Sequence, residues 1–98
     1  MALSSKQRAH LRSLAHHLKP VVNVGKEGIT EAVVLSVENA FNRRELLKIK
    51  FLEYSPINAS EGGKQIAGKI DRSVIVQTIG RIAVLYRPCE ENPVIQLP

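Results

Sequence analysis

The chain has 98 residues, a formal net charge of +5 and 44% apolar residues. This is the length of one domain, and a chain of this size buries roughly two thirds of its unfolded surface, so it can fold without disulfides or metal. Its apolar runs are far shorter than the roughly 20 residues that span a bilayer. The single Cys89 excludes an internal disulfide and suits a reducing compartment. We expect one cytoplasmic domain over 1–98, with a core at about 4–88.

Positive charge is concentrated in the first half of the chain. Residues 1–50 hold nine Lys/Arg and four Glu, whereas residues 51–98 hold five basic and five acidic residues. No acidic residue precedes Glu27. This asymmetry indicates a polyanionic partner, either nucleic acid or an anionic membrane surface. The acid-free start also has the composition of a mitochondrial transit peptide, but it leads into a strand without a processing linker, so we interpret it as part of the fold.

The first predicted element is an amphipathic helix that ends at Pro20. Ser4 and Gln7 form a capping box. Apolar residues at helical spacing predict a buried stripe, which consists of Leu11, Leu14, Ala15 and Leu18. Basic and polar residues occupy the opposite side, namely Lys6, Arg12, Ser13, His16 and His17. The helix is therefore expected to expose a basic face.

A short strand over 21–24 and a second helix follow. Thr30 is the predicted N-cap, and Glu31 lies in the first turn, where the helix dipole favours an acidic residue. The predicted inner face comprises Val33, Val37, Ala40 and Phe41. Arg43 and Arg44 are expected in the last turn of this helix.

A second strand and a third helix come next. Residues 46–51 alternate apolar residues with lysines, which predicts a half-exposed strand with a basic outer face of Lys48 and Lys50. A third helix is predicted over 60–70, although Gly62, Gly63 and Gly68 each cost about 1 kcal/mol relative to Ala.

The C-terminal part predicts a hairpin and an irregular tail. The β-rich runs 73–79 and 82–86 are separated by Gly80-Arg81, and Gly in the first central position predicts a type II′ turn. The tail 88–98 is expected to be irregular, with a short strand at 94–97.

The element order predicts an α/β fold. It is α-β-α-β-α-β-β, and strands that are separated by helices favour parallel pairs through right-handed crossovers. The final hairpin adds an antiparallel strand. We therefore expect a mixed four-stranded sheet with three helices.

No catalytic or metal-binding pattern is recognisable in the sequence. His10 and His17 are seven residues apart and would share a helical face, but no further ligands complete a zinc site. A Walker A motif is absent. We expect no enzyme activity, metal, cofactor or small-molecule substrate. A hydrolase that uses the histidines is the weakest alternative.

The loop Gly25-Lys26-Glu27-Gly28 is the candidate site. One interpretation is a tight turn whose glycines serve a positive φ. The other is a phosphate site, because the loop leads into a helix N-terminus, glycines let a phosphodiester backbone approach, and Lys26 adds a cation.

Three blocks of the sequence together resemble the CRM domain, specifically the small single-domain bacterial YhbY family. They are SSKQRAHLRSLAHHLKPVVNVGKEGITEAVV, RRELLKIKF and TIGRIAVLYRP. The resemblance covers about residues 4–88. It implies an RNA-binding fold related to the C-terminal domain of translation initiation factor three. It also implies association with precursors of the large ribosomal subunit, while relatives in plants act in organelle intron splicing.

The resemblance places a GxxG loop at Gly25–Gly28, joined by the basic face of the first helix. The predicted RNA-binding residues are Gly25, Lys26, Glu27, Gly28, Lys6, Arg12, His16, Lys19 and Arg81. Glu27 is expected to point away from phosphate or to cap locally, and Arg81 is either a solvated turn residue or a peripheral contact. With four aromatic residues and no Trp, we expect recognition through phosphate and shape instead of an aromatic platform.

We predict a monomeric, non-catalytic protein that binds ribosomal RNA in large-subunit precursors, assists their assembly and does not bind membranes. The alternative is a protein-interaction adaptor that docks on ribosomal proteins or on another ribonucleoprotein.

Overall fold

The computed structural model describes residues 2–98. Its elements are α1 (Ser5–Ala15), β1 (Pro20–Val24), α2 (Glu31–Phe41), β2 (Leu46–Phe51), α3 (Ala59–Lys69), β3 (Val74–Ile79) and β4 (Ile82–Tyr86). The predicted α/β class and element order are confirmed. The predicted domain starts at Met1, which lies outside the described residues. Within residues 2–98, no helix has the length and apolarity needed to cross a bilayer.

The four strands form one mixed sheet in the order β1-β2-β4-β3. β1 and β2 are parallel, and β4 is antiparallel to both of its neighbours. β2 and β3 run in the same direction, but they are not adjacent because the final hairpin places β4 between them. The predicted parallel crossover and antiparallel hairpin are both present.

Helices cover both faces of the sheet, and the two cores divide the residues of β2 between them. Leu47, Ile49 and Phe51 belong to the larger core under α2 and α3. Alternate residues point to the other side, which α1 covers together with Ile95 and Leu97 of the tail. There, the smaller core comprises Leu11, Ala15, Leu46, Val76, Val84 and Tyr86.

The first helix begins as predicted and ends early. Ser4 and Gln7 form the expected capping box. The helix ends at Ala15 instead of reaching Pro20. The residue before a proline is restricted to extended backbone, which excludes Lys19 from the helix, and the chain already turns at His16 and His17. His17 therefore does not share a helical face with His10. Leu14 is 42% exposed, contrary to the predicted stripe.

The second helix has the predicted cap and a shorter C-terminus. The Oγ1 of Thr30 accepts the N–H of Val33 at 3.1 Å. The helix ends at Phe41 with Asn42 as its C-cap, so Arg43 and Arg44 lie beyond the last turn, contrary to the prediction. Their N–H groups still bond to the carbonyl of Ala40, both at 3.1 Å.

The third helix begins one residue before the predicted start, with Asn58 as its N-cap. Two of its glycines are explained by close packing. A Cβ at Gly62 would lie 2.2 Å from Cε2 of Phe51, and one at Gly63 would lie 2.7 Å from Cδ1 of Ile75. The glycines that weaken this helix locally let it approach the sheet.

The hairpin between β3 and β4 has the predicted two-residue turn. Gly80 has a φ of +57°, whereas Arg81 is not in the left-handed region, as a type II′ turn requires. β3 contains an irregularity between Ile75 and Gln77. The guanidinium of Arg8 donates to the carbonyls of Ile75 and Val76 there.

The tail 88–98 contains no helix or strand, so the predicted strand at 94–97 is wrong. The carboxylate of Glu45, which is 6% exposed, instead accepts the N–H groups of Cys89, Val94 and Ile95. These tail N–H groups bond to a side chain, which replaces the neighbouring strand that a β-ladder would require.

Candidate nucleic-acid interface

Three loops meet at one end of the sheet. The parallel strands β1 and β2 end side by side, where the N–H of Leu52 donates to the carbonyl of Val24 at 2.9 Å. The N–H of Phe51 donates to the carbonyl of Arg81 in the hairpin turn at 2.7 Å. The Gly25–Gly28 loop, the 52–58 loop and the hairpin turn therefore share this end, which we name the loop end.

The Gly25–Gly28 segment is a β-turn that needs one of its glycines. The N–H of Gly28 donates to the carbonyl of Gly25 at 3.0 Å. Gly28 has a φ of +72°, and a Cβ there would lie 3.2 Å from Cγ of Pro56. Both the left-handed backbone and the neighbouring proline favour glycine at position 28. The fold alone therefore explains Gly28.

Gly25 is not explained in the same way. Its φ lies outside the left-handed region, and the nearest atom to a Cβ built on it is Cε2 of Tyr54 at an ordinary 3.5 Å. An alanine would fit here without backbone strain. Gly25 is half-buried, and because it lacks a side chain, another backbone can approach its main chain more closely than that of a larger residue.

The positive charge of the loop comes mainly from Lys26. Lys26 and Glu27 are both exposed. At the start of α2, Thr30 already accepts one of the free N–H groups and Glu31 lies in the first turn. An acidic residue there opposes an incoming phosphate, so the helix N-terminus contributes less anion attraction than an uncapped helix would.

Two lysines of β2 lie on the side of the sheet that α1 covers only in part. Leu46 packs under α1, and alternation along the strand puts Lys48 and Lys50 on the same face. Lys48 is half-buried and Lys50 is exposed. α1 therefore leaves the second half of β2 open, with its lysines beside β1.

These lysines connect the start of β1 to the loop end. Lys19 precedes Pro20, whose partner in the sheet is Lys48, and Asn23 is the partner of Lys50. The positions then continue through Val24 to Lys26. They follow the length of β1, which is about 13 Å for four residue steps. We name this surface the basic face, and it comprises Lys6, Arg12, His16, Lys19, Lys48, Lys50 and Lys26.

The predicted site residues fall into two groups. Gly25, Lys26, Glu27, Gly28 and Arg81 lie at the loop end, where Arg81 and residues 52–53 and 55–59 line a shallow depression of about 290 Å³. Lys6, Arg12, His16 and Lys19 are exposed on α1 and in the connection that follows it. The prediction was that the loop and the basic face of the first helix adjoin directly. In the structure, Lys48 and Lys50 of β2 lie between these two groups.

Three residues of the candidate interface were not among the predicted site residues: Lys48 and Lys50 on the basic face, and Tyr54 at the loop end. Lys48 and Lys50 were described as an outer face, but only the sheet register shows that this face is the α1 side. Tyr54 follows β2 in the 52–58 loop, and its contact with Gly25 depends on the ends of β1 and β2 meeting. The available signal was an aromatic residue in a loop, between Glu53 and Ser55.

Acidic residues accompany only one of the two parts of the surface. The first 26 residues hold no Asp or Glu, so α1 and β1 contribute only cations to the basic face. At the loop end, exposed Glu27, Glu31 and Glu53 accompany Lys26. Polyanion attraction is therefore strongest along α1, β1 and β2. In the described part of the chain, no group of three or more His, Cys, Asp or Glu is arranged to hold a metal ion.

Comparisons with known proteins agree on one family. The sequence model of the CRS1/YhbY (CRM) domain family matches residues 3–87 of this chain. A Haemophilus influenzae protein named RNA-binding protein is 46% identical over 100 residues, covering 98% of this chain and 95% of the relative. The Bacillus subtilis protein named Probable RNA-binding protein YqeI is 39% identical, covering 98% of this chain and 99% of the relative.

A solved structure has the same fold. The solution structure of a hypothetical protein from Staphylococcus aureus is 37% identical to this chain and superposes with a TM-score of 0.74. The match covers 99% of this chain and 100% of that protein. The sequence and the fold thus lead to the same result: the chain belongs to the CRS1/YhbY (CRM) domain family.

Proposed function

We propose that this protein binds structured RNA through the basic face and the Gly25–Gly28 loop. The observation that carries the proposal is the line of Lys19, Lys48, Lys50 and Lys26 along β1, a strand without acidic residues. Lysines in such an arrangement neutralise successive phosphates and release counterions. Gly25 lacks a side chain, so a phosphodiester backbone can approach the main chain beside Lys26.

The family supports RNA as the polyanion. Relatives that match nearly the whole chain are named as RNA-binding proteins. The basic face has no aromatic platform, so phosphate contacts provide most of the affinity and RNA shape provides the selectivity. The four named lysines contact about three to five phosphates, which corresponds to a log–log salt slope of about −2 to −4.

The family resemblance also suggests which RNA is bound. We propose ribosomal RNA in precursors of the large ribosomal subunit, where a monomeric and non-catalytic protein in the cytoplasm assists assembly. A chain of this size offers one modest contact face, so it acts by holding an RNA shape that is open only before assembly is complete.

Gradient fractionation of growing cells tests the assembly role. The protein should sediment with incomplete large subunits and be depleted from translating ribosomes. Deletion of its gene should cause precursor particles to accumulate, most of all in the cold, where misfolded RNA escapes slowly. A protein found only with small subunits, or a normal subunit profile after deletion, would contradict this role while leaving RNA binding itself open to direct measurement.

One feature favours the adaptor alternative. An apolar groove of about 430 Å³ lies between the ends of α1 and α2 and the tail, and its lining includes Leu14, Leu18 and Ile95. Arg43 and Arg44 also line it, so an acidic segment with apolar side chains is the protein partner that its chemistry fits. If RNA binding fails while such a segment binds, the adaptor function replaces the RNA-binding function.

A further inference from the structure

Tyr54 differs from the other aromatic residues of the chain. Phe41, Phe51 and Tyr86 are at most 6% exposed, whereas Tyr54 is 64% exposed. Its ring therefore contributes little to the core. It lies at the loop end, where its Cε2 would be 3.5 Å from a Cβ on Gly25. An exposed ring thus stands beside Gly25 of the Gly25–Gly28 loop.

The loop that carries Tyr54 is held in place by its own hydrogen bonds. The N–H of Ser55 donates to the carbonyl of Leu52 at 2.9 Å. The Oγ of Ser55 accepts the N–H of Ile57 at 3.2 Å and donates to the carbonyl of Ile57 at 2.7 Å. A backbone fixed in this way restricts where the ring can go, which lowers the entropy lost when a ligand contacts it.

We propose that an unpaired nucleobase of the bound RNA stacks on the ring of Tyr54 while a neighbouring phosphate is held at Gly25 and Lys26. This rests on the proposed RNA binding and names the class of ligand. Every base has a π-face, so stacking on a single tyrosine tolerates any base. It requires the base to be free of a helix, so the preferred ligand is structured RNA with a bulged or single-stranded nucleotide.

The geometry separates this contact from the basic face. Lys48 and Lys50 are positioned to contact phosphates, which single-stranded and duplex RNA both provide. Tyr54 provides a contact that a continuous duplex lacks. The ring therefore contributes to affinity only for RNA with an unpaired nucleotide, and the lysines contribute for both kinds of RNA.

Tyrosine fluorescence tests the stacking directly. The chain has no Trp and two Tyr, so its emission comes from Tyr54 and the buried Tyr86. The titrants are an RNA hairpin with one bulged nucleotide and a duplex RNA of equal length, and fluorescence anisotropy of labelled RNA measures binding separately. The hairpin should quench the emission of the parent protein. In Tyr54→Phe, the remaining emission of Tyr86 should stay unquenched, and it corrects for light absorbed by the RNA.

Affinities of two variants complete the test. Tyr54→Ala should lose roughly 5- to 150-fold in affinity for the bulged hairpin and keep its affinity for the duplex, while Tyr54→Phe should bind both as the parent does. An equal affinity of Tyr54→Ala and the parent for the hairpin, or saturated binding without quenching, would overturn the stacking. Absence of RNA binding by the parent protein would instead overturn the proposed function.

Discussion

Gly62 in α3 lies directly against the ring of Phe51 in β2, and a Cβ at position 62 would come within 2.2 Å of Cε2 of that ring. The Phe51 side chain is 1% exposed, so it has little room to move away. The helix and the sheet approach each other at this point because position 62 has no side chain.

Substitution of Gly62 tests this close packing. Gly62→Ala should lower the free energy of unfolding by about 1–3 kcal/mol, because an extra methyl group in a filled core forces displacement of its neighbours. Gly68→Ala in the same helix is the matched control, since no atom lies within 4 Å of a Cβ there. It should raise the stability by up to about 1 kcal/mol through helix propensity. Urea denaturation measures both, and equal effects of the two substitutions would exclude the packing explanation.

The attachment of the tail to Glu45 gives a second prediction. Glu45→Ala removes the acceptor of three backbone N–H groups, those of Cys89, Val94 and Ile95. The cost should be about 1–3 kcal/mol, because water reaches some of these groups once the tail loosens. Hydrogen exchange should accelerate at Val94 and Ile95 and not in the β4 ladder. Unchanged exchange in the tail would show that other contacts hold it.

Tyr86 gives the protein a stability that depends on pH in the alkaline range. Burial raises the pKa of Tyr86 above its usual 10.0, and the negative charge of Glu45 raises this pKa further. Above about pH 10 the unfolded chain loses this proton while the folded chain keeps it, so stability falls as the pH rises. Urea denaturation at pH 8 and pH 10.5 should show this loss. Tyr86→Phe should lose less stability between the two pH values, and an identical loss would assign the effect to other groups.

Local sequence signals predicted most of the fold because each element carries its own start and stop. The cap at Thr30 and the turn at Gly80 are examples, since both depend on residues within a few positions. The position of β4 between β2 and β3 could not be predicted in this way, since strand order depends on contacts far apart in sequence. The tail is irregular as predicted, but the short strand at 94–97 was predicted wrongly, because the N–H groups of Val94 and Ile95 bond to the side chain of Glu45, which lies about 50 residues earlier in the sequence.

The part of the candidate site that is contiguous in sequence was predictable. The part that depends on the pairing of β1 with β2 was not. The motif from Gly25 to Gly28 is visible in the sequence, but its two glycines look equivalent there and differ in the structure. Lys48 and Lys50 join the site only because β2 pairs with β1 on the side that α1 leaves open. Alternation predicted that they share a face and gave no information on which face.

The difference between the two glycines can be measured. Gly25→Ala should leave stability nearly unchanged, because its backbone is not left-handed and its nearest neighbour lies at 3.5 Å. It should still weaken RNA binding if a phosphate approaches this main chain. Gly28→Ala should destabilise the fold by about 1 kcal/mol or more, since φ is +72° there. If Gly25→Ala binds RNA as tightly as the parent does, the loop serves only as a turn.

Charge reversal at two separate places tests whether RNA is bound along β1 and β2. One double variant carries Lys26→Glu and Lys50→Glu on the basic face, and the other carries Arg43→Glu and Arg44→Glu after α2. All four side chains are exposed, and both variants change the net charge equally.

The decisive measurement is the affinity of the two double variants for a structured ribosomal RNA fragment over a range of salt concentrations. We expect reversal of Lys26 and Lys50 to lower the affinity by roughly tenfold or more and to reduce the magnitude of the salt slope by about two. Reversal of Arg43 and Arg44 should cause only a small loss through the change in net charge, with an unchanged slope. Equal losses and equal slopes for the two variants would contradict the claim, because they would show that RNA responds to total charge and not to this face.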